Sequence, residues 1–287
     1  MPSKNLVQRI AVAVVAIPLV VVIIWVGGWL LAATLAVLGV LGAREVYDFG
    51  RRQGFEPLER TGWLAAAAIP LLAFWAKGSE MHWAEPAIYL GAIWLMFALT
   101  VAMARRAPTQ RPLASVSVTL FGCVYASGML AFLIAIRHGS TAAARPTASV
   151  LLTLFPLIII WICDTAAMAV GSAVGGPKLA PILSPKKTHS GAIGGTLGAV
   201  IAALAFGKFV LNRHGWAFSD VQLLVFGLVV SIVGQVGDVA ESLFKREAGL
   251  KDSSTLIPGH GGVLDRLDSL YFVIPTAAGL YRMFGVI

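Results

Sequence analysis

Charge is scarce in this chain. Only 13% of its 287 residues are charged, and only fourteen are acidic. Soluble domains carry about 25% charged residues, so a water-facing globule is excluded as the main architecture. Cysteine is scarcer still, with Cys123 and Cys163 alone. Two cysteines within apolar stretches make neither a disulfide framework nor a zinc site. Both read as small packing residues. Internal repeats are not evident, which argues against solenoids and inverted-repeat transporters.

Hydrocarbon is what the chain has in plenty. Hydrophobic residues make up 58%, and mean hydropathy is +0.83. Apolar runs of about 17–24 residues recur, the lengths that cross a bilayer as helices. The expected fold is an all-α polytopic membrane bundle. Nine spans are predicted, at 10–26, 29–49, 62–77, 86–104, 114–136, 149–173, 190–211, 221–244 and 264–286. The first could be mistaken for a signal peptide. It reads as retained, because Gly27-Gly28 looks like a tight turn into a second span.

The net charge of +8 does not make a nucleic-acid surface, because the basic residues fall in short clusters between apolar runs. With the N-terminus inside, 16 of the 22 Lys and Arg lie on cytoplasmic segments, against six outside: Lys77, Arg137, Arg145, Lys208, Arg213 and Arg282. That bias predicts an N-in, C-out protein of the inner (cytoplasmic) membrane. Residues 1–147 read as scaffold, with Trp25, Trp29, Trp63, Trp75 and Trp83 near span ends as an interfacial belt. Residues 148–287 read as the catalytic region, with cytoplasmic loops at 174–189 and 245–262. His82, His138 and His214 read as solvated outer surface.

The scarce charge gathers in one stretch, Gly237 to Ser269, between two apolar runs. Asp238, Glu241, Ser242 and Lys245 follow i, i+3, i+4, i+7 spacing, so in a helix they share one face. Asp265, Asp268 and Ser269 repeat the start of that pattern further on. Between them lies the Gly-rich turn Pro258-Gly259-His260-Gly261-Gly262, able to bring backbone N–H groups close to a phosphate. Carboxylates, Lys245, Arg246, Lys251, Arg266 and such a turn suit a divalent metal holding a polyphosphate. The bland alternative is a solvated loop with helix caps. Asp164 is the only carboxylate of its span, so it needs a cation, a water cavity or a proton. The following loop is basic through Lys178, Lys186 and Lys187, and Pro177, Pro181 and Pro185 mark it as irregular. Gly191, Gly194, Gly195 and Gly198 suit close helix packing.

The pattern Ser242…Lys245-Arg246, Lys251-Asp252, Pro258 to Gly262 and Asp265-Arg266…Asp268 resembles the signature of the bacterial phosphatidate cytidylyltransferases (CDP-diacylglycerol synthases). Asp164-Thr165 and Ser184-Pro185-Lys186-Lys187-Thr188 resemble a second feature of that family. In two places the chain departs from it. His189-Ser190 stands where an aromatic–acid pair often follows, and Ala166 to Gly176 is small and apolar where aromatics and an Arg often occur.

The resemblance implies cytidylyl transfer from CTP to phosphatidate or a related lipid phosphate. It implies Mg²⁺, with a second metal or a monovalent cation left open. The implied metal ligands are Asp238 and Asp265, shared between helices, with Asp164, Glu241 and Asp268 in support. Lys245 and Arg246 join Asp238, Asp265 and Asp268 as catalytic candidates. Lys186, Lys187, Ser242, Lys251, Asp252, His260, Gly261, Gly262 and Arg266 are the substrate-binding candidates. A homodimer is the expectation for such a bundle. Two other readings remain open: a CTP-dependent polyprenol or phytol kinase, and an ion-coupled transporter. The Asp-Gly-x-x-Ala-Arg pattern of CDP-alcohol phosphotransferases is absent.

Overall fold

The computed structural model describes residues 4–77, 84–139, 145–257, 259 and 261–287, with side chains from 14 onward except 84–86. His82, Trp83, Pro258 and His260 lie outside the described residues.

Nearly everything described is helix, because a backbone in hydrocarbon must satisfy its own polar groups. The chain runs as α1 (Lys4–Val26), α2 (Gly28–Arg52), α3 (Glu59–Lys77), α4 (Ala84–Arg105), α5 (Pro112–Cys123), α6 (Met129–Arg137), α7 (Pro146–Val174), α8 (His189–Phe206), α9 (Asp220–Glu247) and α10 (Leu264–Met283). A π turn at Val124–Gly128 joins α5 and α6 into one rod. Nine helical rods result among the described residues, in the order the hydropathy predicts. Six are long and apolar enough by themselves to cross a membrane: those built on α2, α4, α5–α6, α7, α8 and α9.

Small residues set the packing of the second half. α7 and α8 form its closest pair. A Cβ on Gly191 would stand 2.7 Å from Ala167 O, and one on Gly195 would stand 2.9 Å from Cys163 O. Glycine at these positions lets the two backbones approach. Cys123 and Cys163 are free and buried, as packing residues should be. Stacked rings hold the bundle centre: Phe155 on Phe226 at 4.8 Å and Phe226 on Tyr281 at 5.0 Å.

Two sequence expectations change. The basic loop after α7 is not irregular. Its strands β1 (Lys178–Ala180) and β2 (Ser184–Thr188) form an antiparallel hairpin. Pro181 sits in the turn and Pro185 lies within a short two-stranded sheet, where a missing N–H is tolerated. Thr188 Oγ1 then caps α8 by accepting from Gly191 N at 3.1 Å. His138, one residue past the end of α6, is half-buried rather than solvated. Its Nε2 accepts from Gly28 N at 3.0 Å, where Gly27 and Gly28 both take positive φ. Burial, with Arg137 and Lys77 nearby, lowers its pKa to about 4, so it stays neutral and able to accept.

Candidate active site

The expected face of α9 forms. Glu241, Ser242 and Lys245 are all buried along it, and Asp238 is partly buried one turn earlier. Lys245 reaches across to α10, with Nζ 2.6 Å from Asp265 Oδ1 and 3.1 Å from Glu241 Oε1. Acid, lysine and acid are thus stacked out of water, where an ion pair needs all its partners.

Asp265 is fully engaged. Its Oδ2 accepts from Ser253 N at 2.7 Å and Gly262 N at 2.9 Å, and lies 2.8 Å from Ser253 Oγ, whose single hydroxyl proton it shares with Glu45. These bonds fold the signature loop back onto the start of α10. A Cβ on Gly261, whose φ is +79°, would collide with that carboxylate. Gly262 is more constrained. A Cβ there would overlap Ser253 Oγ and both carboxylate oxygens of Glu45.

Glu45 is the residue that sequence reasoning missed. It comes from α2, in the half read as scaffold, and it is 3% exposed. Its carboxylate accepts four hydrogen bonds from the loop and the next helix. Ser254 Oγ donates at 2.7 Å and Val263 N at 3.0 Å to Oε1, while Ser253 Oγ donates at 2.8 Å and Leu264 N at 2.9 Å to Oε2. A signal was available, since Glu45 is an acid within a predicted span. Arg44 and Asp48 beside it made the segment look like an ordinary membrane boundary.

The second ion pair sits apart from the first. Lys187, at the end of the hairpin, places Nζ 2.5 Å from Asp238 Oδ2. Asp164 on α7 lies within electrostatic reach of both, and Asp268 within reach of Asp238 and Asp164. Asp268 Oδ1 accepts from Ser269 N at 2.6 Å. Asp238 and Asp265 are therefore held by different lysines. Among the described residues, no three acids already converge as a bound metal would require. The donor chemistry nonetheless fits a hard cation on the Asp238 side. Asp164, Asp238 and Asp268 supply oxygens, and Oε2 of buried Glu241, whose Oε1 faces Lys245, has no hydrogen-bond partner. Asp265 has no such spare capacity.

The remaining candidates fall into two groups. Arg246 ties the hairpin to α9, donating to Leu183 O at 3.3 Å and Leu250 O at 3.0 Å. Lys186, Lys251 and Arg266 are exposed, where their charge suits an anionic substrate, and Asp252 is exposed beside Lys251. The His260 assignment lies outside the described residues.

An apolar groove of about 640 Å³ opens among the hairpin, α8 and α9. Leu179 and Leu183 of the hairpin, Ile193 and Leu197 of α8, and Val236 and Leu243 of α9 line it. Gln235 at its wall donates to Thr196 Oγ1 at 3.1 Å, one turn before Asp238. A larger apolar cavity of about 1100 Å³ lies among α3, α4 and the α5–α6 rod, away from these acids and lysines.

Lysine–carboxylate pairs at the signature loop and at the hairpin, with an apolar groove lined by that hairpin, α8 and α9, suit phosphate chemistry on a lipid. Comparison with known proteins agrees. The chain is similar to a phosphatidate cytidylyltransferase of Synechocystis, 30% identical over 93% of this chain and 94% of that one. It is also similar to phosphatidate cytidylyltransferases of Brucella suis, 49% identical over 46% of each chain, and Staphylococcus epidermidis, 45% identical over 42% of this chain and 45% of that one. Residues 7–284 match the profile of the cytidylyltransferase family, and the chain belongs to that family.

Proposed function

We propose that the chain transfers the cytidylyl group of CTP to phosphatidate, giving CDP-diacylglycerol and pyrophosphate, from the cytoplasmic face of the inner membrane. Family membership and the names of its relatives support the reaction. The observation that carries the site is the Lys187–Asp238 pair, which ties the hairpin to α9, the same two elements that with α8 line the apolar groove.

In this reading a phosphate oxygen of the lipid attacks the α-phosphorus of CTP in line. A P–O bond forms to the lipid phosphate as the bond to the pyrophosphate oxygen breaks. That nucleophile is already ionised at neutral pH, so no general base is needed. The obstacle is bringing two anions together. Lys187 and Lys186 receive the lipid phosphate at the groove, and Lys251 and Arg266 meet the triphosphate from the water side. Lys245, fixed between Glu241 and Asp265, holds α9 against the start of α10 beside the signature loop. Asp238, with Asp164 and Asp268, would hold Mg²⁺ once Lys187 turns to phosphate. Mg²⁺ bound there would neutralise charge on the leaving pyrophosphate.

Purified protein in detergent, given radiolabelled CTP, Mg²⁺ and a panel of lipid phosphates, tests this. CDP-lipid and pyrophosphate are expected. CDP with a phosphorylated lipid alcohol would instead identify a kinase. No nucleotide turnover with any lipid would overturn the enzymatic reading in favour of transport.

A further inference from the structure

The four hydrogen bonds to Glu45 join residues far apart in sequence at the start of α10. A helix N-terminus leaves its first N–H groups unsatisfied and carries positive partial charge. Here the N-cap residue, Val263, makes no side-chain cap. Glu45 closes it from α2, accepting from Leu264 N and Val263 N. The same carboxylate accepts from the hydroxyls of Ser253 and Ser254 on the incoming loop. Ser253 in turn donates its backbone N–H to Asp265, the partner of Lys245. Glu45 of α2 is thus linked through Ser253 to the Lys245–Asp265 pair.

We propose that Glu45 is a positioning residue for cytidylyl transfer, holding the signature loop and the first turn of α10 so that Lys245 and Asp265 keep their geometry. This rests on the cytidylyltransferase reading above. Glu45 itself touches no reacting atom. Its effect passes through Ser253, Ser254 and the backbone. Gly262 is the other half of the device, because only a residue without a Cβ lets the loop lie this close to the Glu45 carboxylate.

The test compares full-length wild type, Glu45→Gln and Glu45→Asp in detergent micelles, with kinetics and amide hydrogen exchange. Gln keeps the size but turns one acceptor oxygen into a donor, facing N–H and O–H groups that are donors themselves. In Glu45→Gln, kcat should fall by about 10–10²-fold, the scale of misplacing a catalytic element by about 1 Å. KM for CTP should change far less. Exchange in peptides covering 253–266 should quicken, while peptides from α7 and α8 keep wild-type rates. Glu45→Asp, which keeps the charge, should recover part of kcat. Wild-type kcat and exchange in Glu45→Gln would overturn the proposal. So would a kcat loss that only tracks the fraction of unfolded protein and is not eased by Asp. Should Glu45→Gln not survive extraction, Ser254→Ala removes one of the four bonds and should still speed exchange at 253–266. Unchanged exchange there counts against the clamp. If wild type forms no CDP-lipid at all, the functional reading fails, and the exchange comparison still decides whether Glu45 holds the loop.

Discussion

Lys187 Nζ lies 2.5 Å from Asp238 Oδ2, tying the β hairpin to α9. Both ligands of the proposed reaction must divide this pair. A cation competes with Lys187 for the carboxylate, and a phosphate competes with Asp238 for the ammonium. Lys187→Ala should therefore raise KM for the lipid phosphate or lower kcat, with Lys187→Arg losing less. Initial rates over a lipid series measure it. Wild-type rates in both variants would remove Lys187 from the site.

Asp238 and Asp265 should part company on mutation to Asn. Asp238 is 28% exposed at its side chain and, among the described residues, is paired with Lys187, so Asp238→Asn should fold and insert normally. Its rate should drop by about 10²–10³, the scale of losing one preorganised electrostatic group. Raising Mg²⁺ should restore part of it. Asp265→Asn should lower the melting temperature as well as the rate, because it leaves buried Lys245 short of a charge partner. Gel filtration, melting and activity across a Mg²⁺ series separate the two. Normal activity of folded Asp238→Asn at low Mg²⁺ is incompatible with a cation on that residue.

Gly262→Ala should abolish activity even in protein that inserts. The added methyl meets the Glu45 carboxylate and Ser253 Oγ, so the loop must leave its place. Gly259→Ala, at an exposed position, should cost less. Equal activity of the two would mean the loop is free to adjust.

Stability should carry a signature of His138. Its folded pKa, about 4, lies below the ordinary value of 6.5. The unfolded chain then binds a proton that the folded one does not, so stability is complete above about pH 6.5 and declines as pH falls toward 4. His138→Asn should flatten that slope in a melting series. A slope unchanged by the substitution would assign it to other groups.

The orientation can be read with a single cysteine. The native Cys123 and Cys163 are buried, so background labelling should be low. Asp252 is exposed on the signature loop, whereas Ser254 is bonded to Glu45. Asp252→Cys should react only from the cytoplasmic side. Labelling only from the outer side would reverse the topology and remove the loop from the nucleotide pool.

Much of this was legible in one dimension because the membrane enforces simple rules. Long apolar runs must become helices, and acids at i, i+3 and i+4 must share a face, so the α9 face with Glu241 and Lys245 was readable directly. Glu45 stood out as an acid within a span, but its role was not readable, because its partners lie more than two hundred residues away and two of the four are backbone N–H groups, which leave no mark in sequence. The hairpin was hidden by its prolines, which signal irregularity but also tolerate the outside of a two-stranded ribbon. The pairing of Asp238 with Lys187, and of Asp265 with Lys245, depended on how three elements meet. Spacing along one chain could place the acids on their helices but could not say which lysine each would take.

The groove between α8 and α9 changes what concentration means for this protein. A lipid that arrives through it never crosses bulk water, so its encounter rate depends on its mole fraction within the surrounding lipid or detergent. Diluting the lipid phosphate with inert detergent at constant bulk concentration should then slow the reaction, while diluting the whole mixture with buffer at fixed CTP should leave the turnover per protein nearly unchanged. A bulky substitution in the wall, such as Leu197→Trp, should act like such a dilution, since it narrows the route without touching the acids and lysines that bind phosphate.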